Sequence, residues 1–407
     1  MNIETWPREF PGAHWFNEEE EQAVLDVLRR RSPFRYYGIN PPRYVAAFEA
    51  AACEYYGIRH ALGVNSGTGA LMTAINALRI GPGCEVIVPA FMWVATVTAV
   101  VSANAIPVLC DIDDSFTMNP SDLEQKITPR TRLIVPVHMA GAPSDMYAIM
   151  DIANRHGISV LEDVAQCNGG SFRGKKLGTF GSIGMFSLQQ NKNMTAGEGG
   201  LVITDDDELF EKLETAHDTG YLWVGGKPHE PSPEAIGWGG GRRMSELIGA
   251  MASVQIKKLP SIVNHMRTSH SRISDMLRSI PGLEFRRLND PEGHTGSFLI
   301  MILDDEKRAA SVSKYLQDNG MPSVSRLADY GLHIYSNITQ LVRKVPLSPS
   351  GNPWNLEANR ESVYDYGKGA CPVADGLFAR SVIIPIPSNL TEEQERDAAE
   401  LIKKASG

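Results

Sequence analysis

Strand-like and helix-like segments alternate along the first half of this sequence, and this alternation constrains the fold more than any other feature. Short apolar runs, each typical of a buried strand, are separated by amphipathic stretches of helical period. The predicted segments after the first strand at Ala61 are strand Val86–Val88, strand Pro107–Asp111, helix Asn119–Ile127, strand Thr131–Val137, helix Ser144–His156 and strand Ile158–Glu162. This spacing predicts an α/β fold with a mainly parallel sheet covered by helices. In such sheets, active sites form beyond the carboxyl ends of the strands.

The stretch from Leu161 to Thr204 carries the residues with the clearest chemistry. Asp163 ends a predicted strand, and Lys192 lies in a polar, glycine-rich segment with no further lysine or arginine until Lys212. An enzyme that depends on pyridoxal 5′-phosphate (PLP) requires this arrangement, with a carboxylate after one strand and a lysine after another. The lysine forms a Schiff base, and the carboxylate keeps the pyridine nitrogen protonated so that the ring withdraws electrons. We therefore predict Lys192 and Asp163 as catalytic residues.

A turn of small residues, Asn65 to Gly69, leads from the first predicted strand into a helical pattern. The first N–H groups of a helix have no partner within it, so they can bind an anion. Alone, this motif is weak, because such helix starts are common. Together with Lys192 and Asp163, it predicts a phosphate site.

The composition excludes several other functions. A formal net charge of −9 argues against binding to nucleic acid or to an anionic membrane. The five cysteines include no CxxC pair, which predicts reduced thiols in a cytoplasmic protein and no zinc site. The N-terminus has no signal-peptide pattern. Residues Val86 to Cys110 are uncharged and long enough to cross a bilayer. Because prolines divide this run, we interpret it as strand, buried helix and strand.

Three segments, EDVAQ, FSLQQNK and TAGEGG, give the sequence a family resemblance. The sequence resembles the DegT/StrS family of PLP-dependent aminotransferases, which aminate keto-sugars and keto-cyclitols. Within this family, the SLQQNK segment is most similar to that of glutamine-using cyclitol aminotransferases and 3-amino-5-hydroxybenzoate synthases. The resemblance extends from about Phe34 to the CPVAD segment and implies the type I fold of PLP-dependent transferases. We predict a large cofactor-binding domain, with an N-terminal arm, at residues 1–258. Beyond it the alternation is lost, which predicts a smaller α+β domain at residues 259–407.

The resemblance also implies roles for residues around the cofactor. It assigns Gly67 and Thr68 to the phosphate and Trp93 to stacking on the pyridine ring. Gln166 would donate a hydrogen bond to the 3′ oxygen, and Ser187 would hold the phosphate. His138 is interpreted as a supporting or structural residue. Glu198 either closes a turn or affects proton transfer, and the sequence does not decide between them.

The sequence departs from the family before the RMSEL segment. Where the family has Asn-Tyr, with the asparagine reaching the phosphate of a partner subunit, this chain has Gly241 and Arg242. Arg242 either replaces the asparagine, since guanidinium suits phosphate oxygens, or is a solvent-facing loop residue. The resemblance further implies a homodimer with shared active sites.

The predicted function is transfer of an amino group from L-glutamine or L-glutamate to a keto-sugar or keto-cyclitol by ping-pong chemistry. One alternative is a sugar dehydratase, although these relatives carry histidine at the position of Lys192. Another is a PLP-binding regulator, which needs no catalytic lysine. The irregular segment from Arg326 to Lys368 is interpreted as a loop that shapes the substrate pocket. Its candidate residues are His333, Tyr335 and Trp354.

Overall fold

The computed structural model describes residues 6–406, which form a large α/β sheet layer and a smaller α+β layer. The helices are α1 (Glu18–Arg30), α2 (Tyr44–Tyr56), α3 (Gly67–Ala77), α4 (Val94–Ser102), α5 (Pro120–Lys126), α6 (Met146–His156), α7 (Asp207–His217), α8 (Glu246–Leu277), α9 (Glu306–Asp318), α10 (Thr339–Val342), α11 (Pro372–Arg380) and α12 (Glu392–Ser406). The strands are β1 (His60–Val64), β2 (Glu85–Pro89), β3 (Ile106–Cys110), β4 (Thr131–Ile134), β5 (Ser159–Asp163), β6 (Ser171–Phe172), β7 (Lys175–Lys176), β8 (Ile183–Ser187), β9 (Gly200–Thr204), β10 (Leu222–Val224), β11 (Lys227–His229), β12 (Glu284–Phe285), β13 (Phe298–Ile302), β14 (Ser325–Arg326) and β15 (Ser381–Pro385).

The main sheet has the strand order β1-β9-β8-β5-β4-β2-β3. Its pairings from β8 through β5, β4, β2 and β3 are parallel, while β9 runs antiparallel to both β1 and β8. The predicted α/β class with a mainly parallel sheet is confirmed, and the predicted element bounds agree to within a few residues.

The buried strands of this sheet pack on both faces. In β2, Val86 and Val88 belong to one apolar cluster and Ile87 to another. Because successive side chains of a strand point to opposite faces, these two clusters lie on the two sides of the sheet. The uncharged run from Val86 to Cys110 is therefore strand, helix and strand, as predicted. None of the helices in residues 6–406 has the length and apolar character that a membrane span needs.

Helix α1 begins directly after Asn17, which caps it. The Asn17 side chain accepts a hydrogen bond from the backbone of the first turn, and Glu20 accepts one from the Asn17 N–H at 3.0 Å. This reciprocal capping satisfies N–H groups that would otherwise lack partners. The four glutamates of the first turn and the arginines of the last both suit the helix dipole.

Helix α8 differs from the sequence-based expectation. The sequence pattern predicts one helix in the segment that ends at Leu259 and another at Val263–Arg278, but the structure has one continuous helix that passes through Pro260. It packs against α1, α2 and α12, so tertiary packing outweighs the local cost of the proline. The predicted domain boundary at 258/259 falls inside this helix. Beyond it, the sheet β12-β13-β15-β14 packs with α9 and α12 around its own apolar cluster, and the two-domain division stays a prediction.

Candidate active site

A cavity of about 420 Å³ lies beyond the carboxyl ends of β1, β2, β5 and β8. Seven of the residues predicted for the cofactor site line it. They are Gly67, Thr68, Trp93, Asp163, Gln166, Ser187 and Lys192. Their roles toward a cofactor stay predictions, but the fold brings them to one place from four separate strand ends.

Asp163 is a buried carboxylate at the end of β5, with 3% of its surface exposed. Its Oδ2 accepts a hydrogen bond from Thr96 Oγ1 at 3.0 Å, and its Oδ1 accepts one from Ala165 N at 3.1 Å. Burial raises the pKa of Asp163, while these hydrogen bonds and the positive charge of Lys192 oppose the rise. Asp163 thus has a fixed orientation and would gain from a cationic partner inside the cavity.

The neighbouring acid, Glu162, has a different task. Its carboxylate accepts hydrogen bonds from the backbone N–H groups of Gly178, Phe180 and Gly181 at 2.6–2.8 Å. The ring of His138 also contacts it, with 3.3 Å between Nε2 and Oε2. Because Ser144 N donates to Nδ1 of this ring, the Nε2 of His138 carries the proton that Glu162 accepts. Glu162 and His138 therefore hold the loop after β7 and the loop after β4 in place.

Lys192 lies in a tight loop between β8 and β9. Lys192 N donates to Gln189 O at 3.0 Å, and Gln190 N donates to Gly197 O at 3.0 Å, which closes the loop on itself. Burial lowers the pKa of the Lys192 amine, whereas the negative charges of Asp163 and Glu9 raise it. A lowered pKa increases the uncharged fraction, which is the nucleophilic form of an amine.

The start of α3 provides an open anion site. Ser66 caps the helix by accepting a hydrogen bond from Gly69 N at 2.9 Å, and Ala70 N donates to Ser66 O. In the described part of the chain, the N–H groups of Gly67 and Thr68 have no hydrogen-bond partner. A Cβ at position 67 would lie 2.7 Å from the Cβ of Ser187, so only glycine lets this turn approach the end of β8.

Gln166 is oriented by a backbone contact. Its Oε1 accepts a hydrogen bond from Ala140 N at 3.1 Å, which leaves the amide NH₂ group available as a donor to the cavity. The turn at Ala140 has a positive φ of 50° and is held by Arg286, which donates to the carbonyls of Met139 and Ala140. The smaller sheet layer thus supports the orientation of a side chain in the cavity.

Three rings form one side of the cavity. Trp93 contacts His333 with 4.7 Å between ring centroids, and His333 stacks on Tyr330 at 4.5 Å. Burial and the positive charge of Lys192 lower the pKa of His333 to about 4, so this ring is neutral near pH 7. His333 belongs to the irregular segment from Arg326 to Lys368 and lines the cavity, as expected of a segment that shapes the pocket.

Two other candidates from that segment do not line the cavity. Tyr335 is buried, and its hydroxyl donates to the carboxylate of Asp375 at 3.0 Å. Trp354 packs on Tyr366 at 5.6 Å. Both rings serve packing, because an aromatic residue in an irregular segment is as useful to the core as to a site.

Arg242 does not line this cavity. It lines a second one beside α3 and α4, together with Met72, Arg79 and Trp238. Its Nη2 contacts the sulfur of Met72 at 3.7 Å, and its buried Nη1 has no hydrogen-bond partner among residues 6–406. Burial lowers the pKa of this guanidinium.

The sequence-based reasoning missed Glu9, Pro11 and Tyr330, which all line the cavity. Tyr330 lies in the irregular segment, three residues before His333, and could have been considered with it. Glu9 and Pro11 belong to the N-terminal arm, defined here as residues 6–16, and no periodicity or motif marks them. Glu198 lines the cavity too, so its role in proton transfer stays open.

Comparison with known proteins gives one consistent result. The sequence model of the DegT/DnrJ/EryC1/StrS aminotransferase family matches residues 16–330. An L-glutamine:2-deoxy-scyllo-inosose aminotransferase of Streptomyces kanamyceticus is 32% identical over 88% of this chain and 84% of its own. A UDP-N-acetyl-3-dehydro-alpha-D-glucosamine 3-aminotransferase of Acidithiobacillus ferrooxidans is 33% identical over 88% of this chain and 87% of its own. The crystal structure of 3-amino-5-hydroxybenzoic acid synthase superposes with a TM-score of 0.79 at 25% identity, covering 98% of this chain and 97% of that one.

Proposed function

Because the chain belongs to the DegT/DnrJ/EryC1/StrS aminotransferase family, a family of PLP-dependent enzymes, we propose that it transfers an amino group from L-glutamine or L-glutamate to a keto-sugar or keto-cyclitol with bound PLP. The observation that carries this proposal is the joint placement of Lys192, Asp163 and the open start of α3 in one cavity. The two relatives act, by their names, on a cyclitol ketone and on a nucleotide-linked keto-sugar. The proposed acceptor of this chain is therefore a ketone of either class.

The donor set of the cavity fits PLP. The unpaired N–H groups of Gly67 and Thr68 and the hydroxyl of Ser187 suit a phosphate. The buried carboxylate of Asp163 suits a protonated pyridine nitrogen, and the amine of Lys192 suits an aldehyde. When bound, PLP supplies that aldehyde and a ring that withdraws electrons from a neighbouring carbon.

In this mechanism, the residues of the chain hold the substrates and move protons. The amine of Lys192 would move the proton from the α-carbon of the amino donor to the cofactor carbon that carries the aldehyde, and in the second half-reaction it would move a proton from that carbon to the carbon that carried the acceptor ketone. Asp163 would keep a proton at the ring nitrogen, and Gln166 would donate a hydrogen bond to the 3′ oxygen. Trp93, which lines the same cavity, would stack on the ring and limit the access of water.

The absorbance spectrum of the purified protein with added PLP, before and after excess L-glutamine or L-glutamate, tests this proposal. We expect a visible band from the lysine-linked cofactor, which one of these amino acids converts to a band at shorter wavelength. The converted protein is then screened with keto-sugars and keto-cyclitols for return of the first band. A band that no amino acid changes would contradict the transferase proposal. The absence of any band would contradict PLP binding.

We further propose that two chains form a dimer with shared sites. Large apolar side chains are exposed in two segments, one after α1 (Tyr37, Ile39) and one between α7 and α8 (Tyr221, Val224, Ile236, Trp238). Trp238 is the most exposed of them, with 90% of its surface exposed. Arg242 lies beside Trp238 with an unpaired, buried guanidinium nitrogen, which suits an anion supplied by another subunit.

Mixing two inactive variants tests this arrangement. If Arg242 serves the site of the partner, a dimer of one Lys192→Ala chain and one Arg242→Ala chain contains one intact site. We expect activity to return when the two variants are unfolded together and refolded, compared with each variant refolded alone. No recovery in a preparation that sedimentation shows to be dimeric would contradict the shared site.

A further inference from the structure

The N-terminal arm is fixed directly onto the loop that carries Lys192. Gly12 N donates to Lys192 O at 3.1 Å, and Ser388 Oγ donates to Pro11 O at 2.7 Å. The Trp15 indole donates to Ser388 O at 3.2 Å. A Cβ at Gly12 would lie 2.9 Å from Thr195 N, so the backbone of the arm is as close to the lysine loop as a glycine permits. The arm is thus an ordered wall of the cavity.

The arm brings the carboxylate of Glu9 into the cavity. Glu9 lines it and is half-buried. Among residues 6–406, no hydrogen bond or ion pair ends on this carboxylate, although the charge of Lys192 acts on it. Burial raises the pKa of Glu9, and Lys192 opposes the rise. Glu9 and Tyr330 both line this cavity, and burial and the negative charge of Glu9 both raise the pKa of Tyr330.

The charged groups around this space are mostly acidic. The cavity is lined by the carboxylates of Glu9, Asp163 and Glu198, whereas Lys192 is the cation that the described residues contribute. Asp163 is assigned to the ring nitrogen and Lys192 to the reacting carbon. Glu9 is left to offer a substrate a hydrogen-bond acceptor with negative charge, and His333, which lines the same cavity, offers a neutral ring.

A carboxylate in this position discriminates by charge. L-glutamine and L-glutamate carry the same α-carboxylate and differ at the far end, where glutamine has a carboxamide and glutamate a second carboxylate. A carboxamide N–H can donate to a carboxylate such as that of Glu9, whereas a second carboxylate would be repelled by it in a site that is partly shielded from water. The hydroxyl groups of a sugar or cyclitol ketone also donate to a carboxylate. One acceptor group can therefore serve both substrates, which occupy the cavity in turn.

We propose that Glu9 is a specificity-determining residue that selects L-glutamine over L-glutamate and then binds hydroxyl groups of the keto acceptor. The proposal rests on the proposed function. It assigns to the N-terminal arm a part in substrate choice, separate from the proton transfers at Lys192.

Half-reaction kinetics of the PLP-loaded protein test the choice of donor without any acceptor. The rate of cofactor conversion is measured against the concentration of each amino acid, which gives kcat/KM for glutamine and for glutamate. We expect the wild-type protein to prefer glutamine and Glu9→Gln to reduce this preference by about 10- to 100-fold, mainly through a gain with glutamate. Glu9→Asp, which keeps the charge, should retain most of the preference. Glu18→Gln, an exposed glutamate at the start of α1, is the matched control and should change nothing.

Equilibrium binding gives a second readout that requires no turnover. Glutaramate and glutarate are glutamine and glutamate without the α-amino group, so they bind without reacting. Calorimetric titration of the PLP-loaded protein should show tighter binding of glutaramate, and Glu9→Gln should shift the ratio of the two Kd values toward glutarate.

The possible outcomes separate the two proposals. A wild-type protein that reacts with neither amino acid would overturn the proposed function and this inference with it. A working half-reaction whose glutamine preference is unchanged in Glu9→Gln, in kinetics and in binding, would overturn the role of Glu9 alone. If Glu9→Gln does not fold, as judged by thermal unfolding, Glu9→Ala takes its place under the same criteria.

Discussion

Two walls of the cavity differ in how they are built. The sheet wall, defined as Gly67, Thr68, Asp163, Ser187 and Lys192, comes from strand ends and the turns that follow them. Asp163 is fixed by hydrogen bonds from Thr96 and Ala165, Lys192 by the closed loop that carries it, and Gly67 by its close approach to Ser187. The loop wall, defined as Glu9, Tyr330 and His333, comes from the arm and from an irregular segment more than 300 positions away. Rigid strand ends suit groups that must be held accurately for chemistry, whereas loops suit substrate choice.

This comparison predicts that changes in the sheet wall reduce the rate with every substrate. The largest effect is expected for Lys192→Ala, because it removes both the attachment point of the cofactor and the group that moves the proton. Activity should fall by at least about 10⁴-fold with glutamine and glutamate alike, measured by single-turnover kinetics. Lys212→Ala, the next lysine along the chain, is the control, and substantial turnover in Lys192→Ala would exclude the catalytic assignment.

A smaller but still large effect is expected for Asp163→Asn. The amide cannot keep the ring nitrogen protonated, so the half-reaction should slow by about 10²- to 10⁴-fold while some PLP binding remains. The rate is measured as the decay of the visible band. A variant that reacts as fast as the wild-type protein would show that the buried carboxylate has no part in electron withdrawal.

Glu162→Gln changes the acid next to Asp163 and tests whether these two neighbouring acids have different tasks. Glutamine places an NH₂ group against backbone N–H donors that now bind a carboxylate. The free energy of unfolding should fall by about 1–3 kcal/mol, measured by urea denaturation. The rate of the folded fraction should stay within about tenfold of wild type. Equal losses of rate in Glu162→Gln and Asp163→Asn would remove the distinction between the two acids.

The smallest effect is expected in the loop wall, for Tyr330→Phe. Loss of one hydroxyl should raise KM for a hydroxylated acceptor by about 3- to 10-fold and leave the donor half-reaction unchanged. Tyr335→Phe is a matched control, because that hydroxyl binds Asp375 away from the cavity. If Tyr330→Phe slowed the donor half-reaction as much as Asp163→Asn, the division between the two walls would fail.

The same division explains what could be predicted from the sequence. Asp163, Ser187 and Lys192 lie in one continuous stretch, and the alternation of elements predicts the strand that leads to Asp163. Glu9 and Tyr330 could not be found in this way. Glu9 reaches the cavity because Gly12 N binds Lys192 O, a contact between positions 180 residues apart that no local pattern encodes. Tyr335 and Trp354 are candidates because they lie in the irregular segment, but burial against neighbours that the sequence does not show decides their role. The continuity of α8 through Pro260 was missed for a similar reason.

The anchoring of the arm also bears on how the chain is made. Pro11 and Trp15 are synthesised long before their partner Ser388, which lies more than 370 positions later in the chain. A chain still on the ribosome therefore contains β5 and the loop of Lys192 long before it can fix the arm over them. Contacts of such long sequence separation form late and slowly. Lys192 therefore acquires its complete surroundings only after Ser388 has been synthesised, and a chain truncated before Ser388 would hold its arm less firmly.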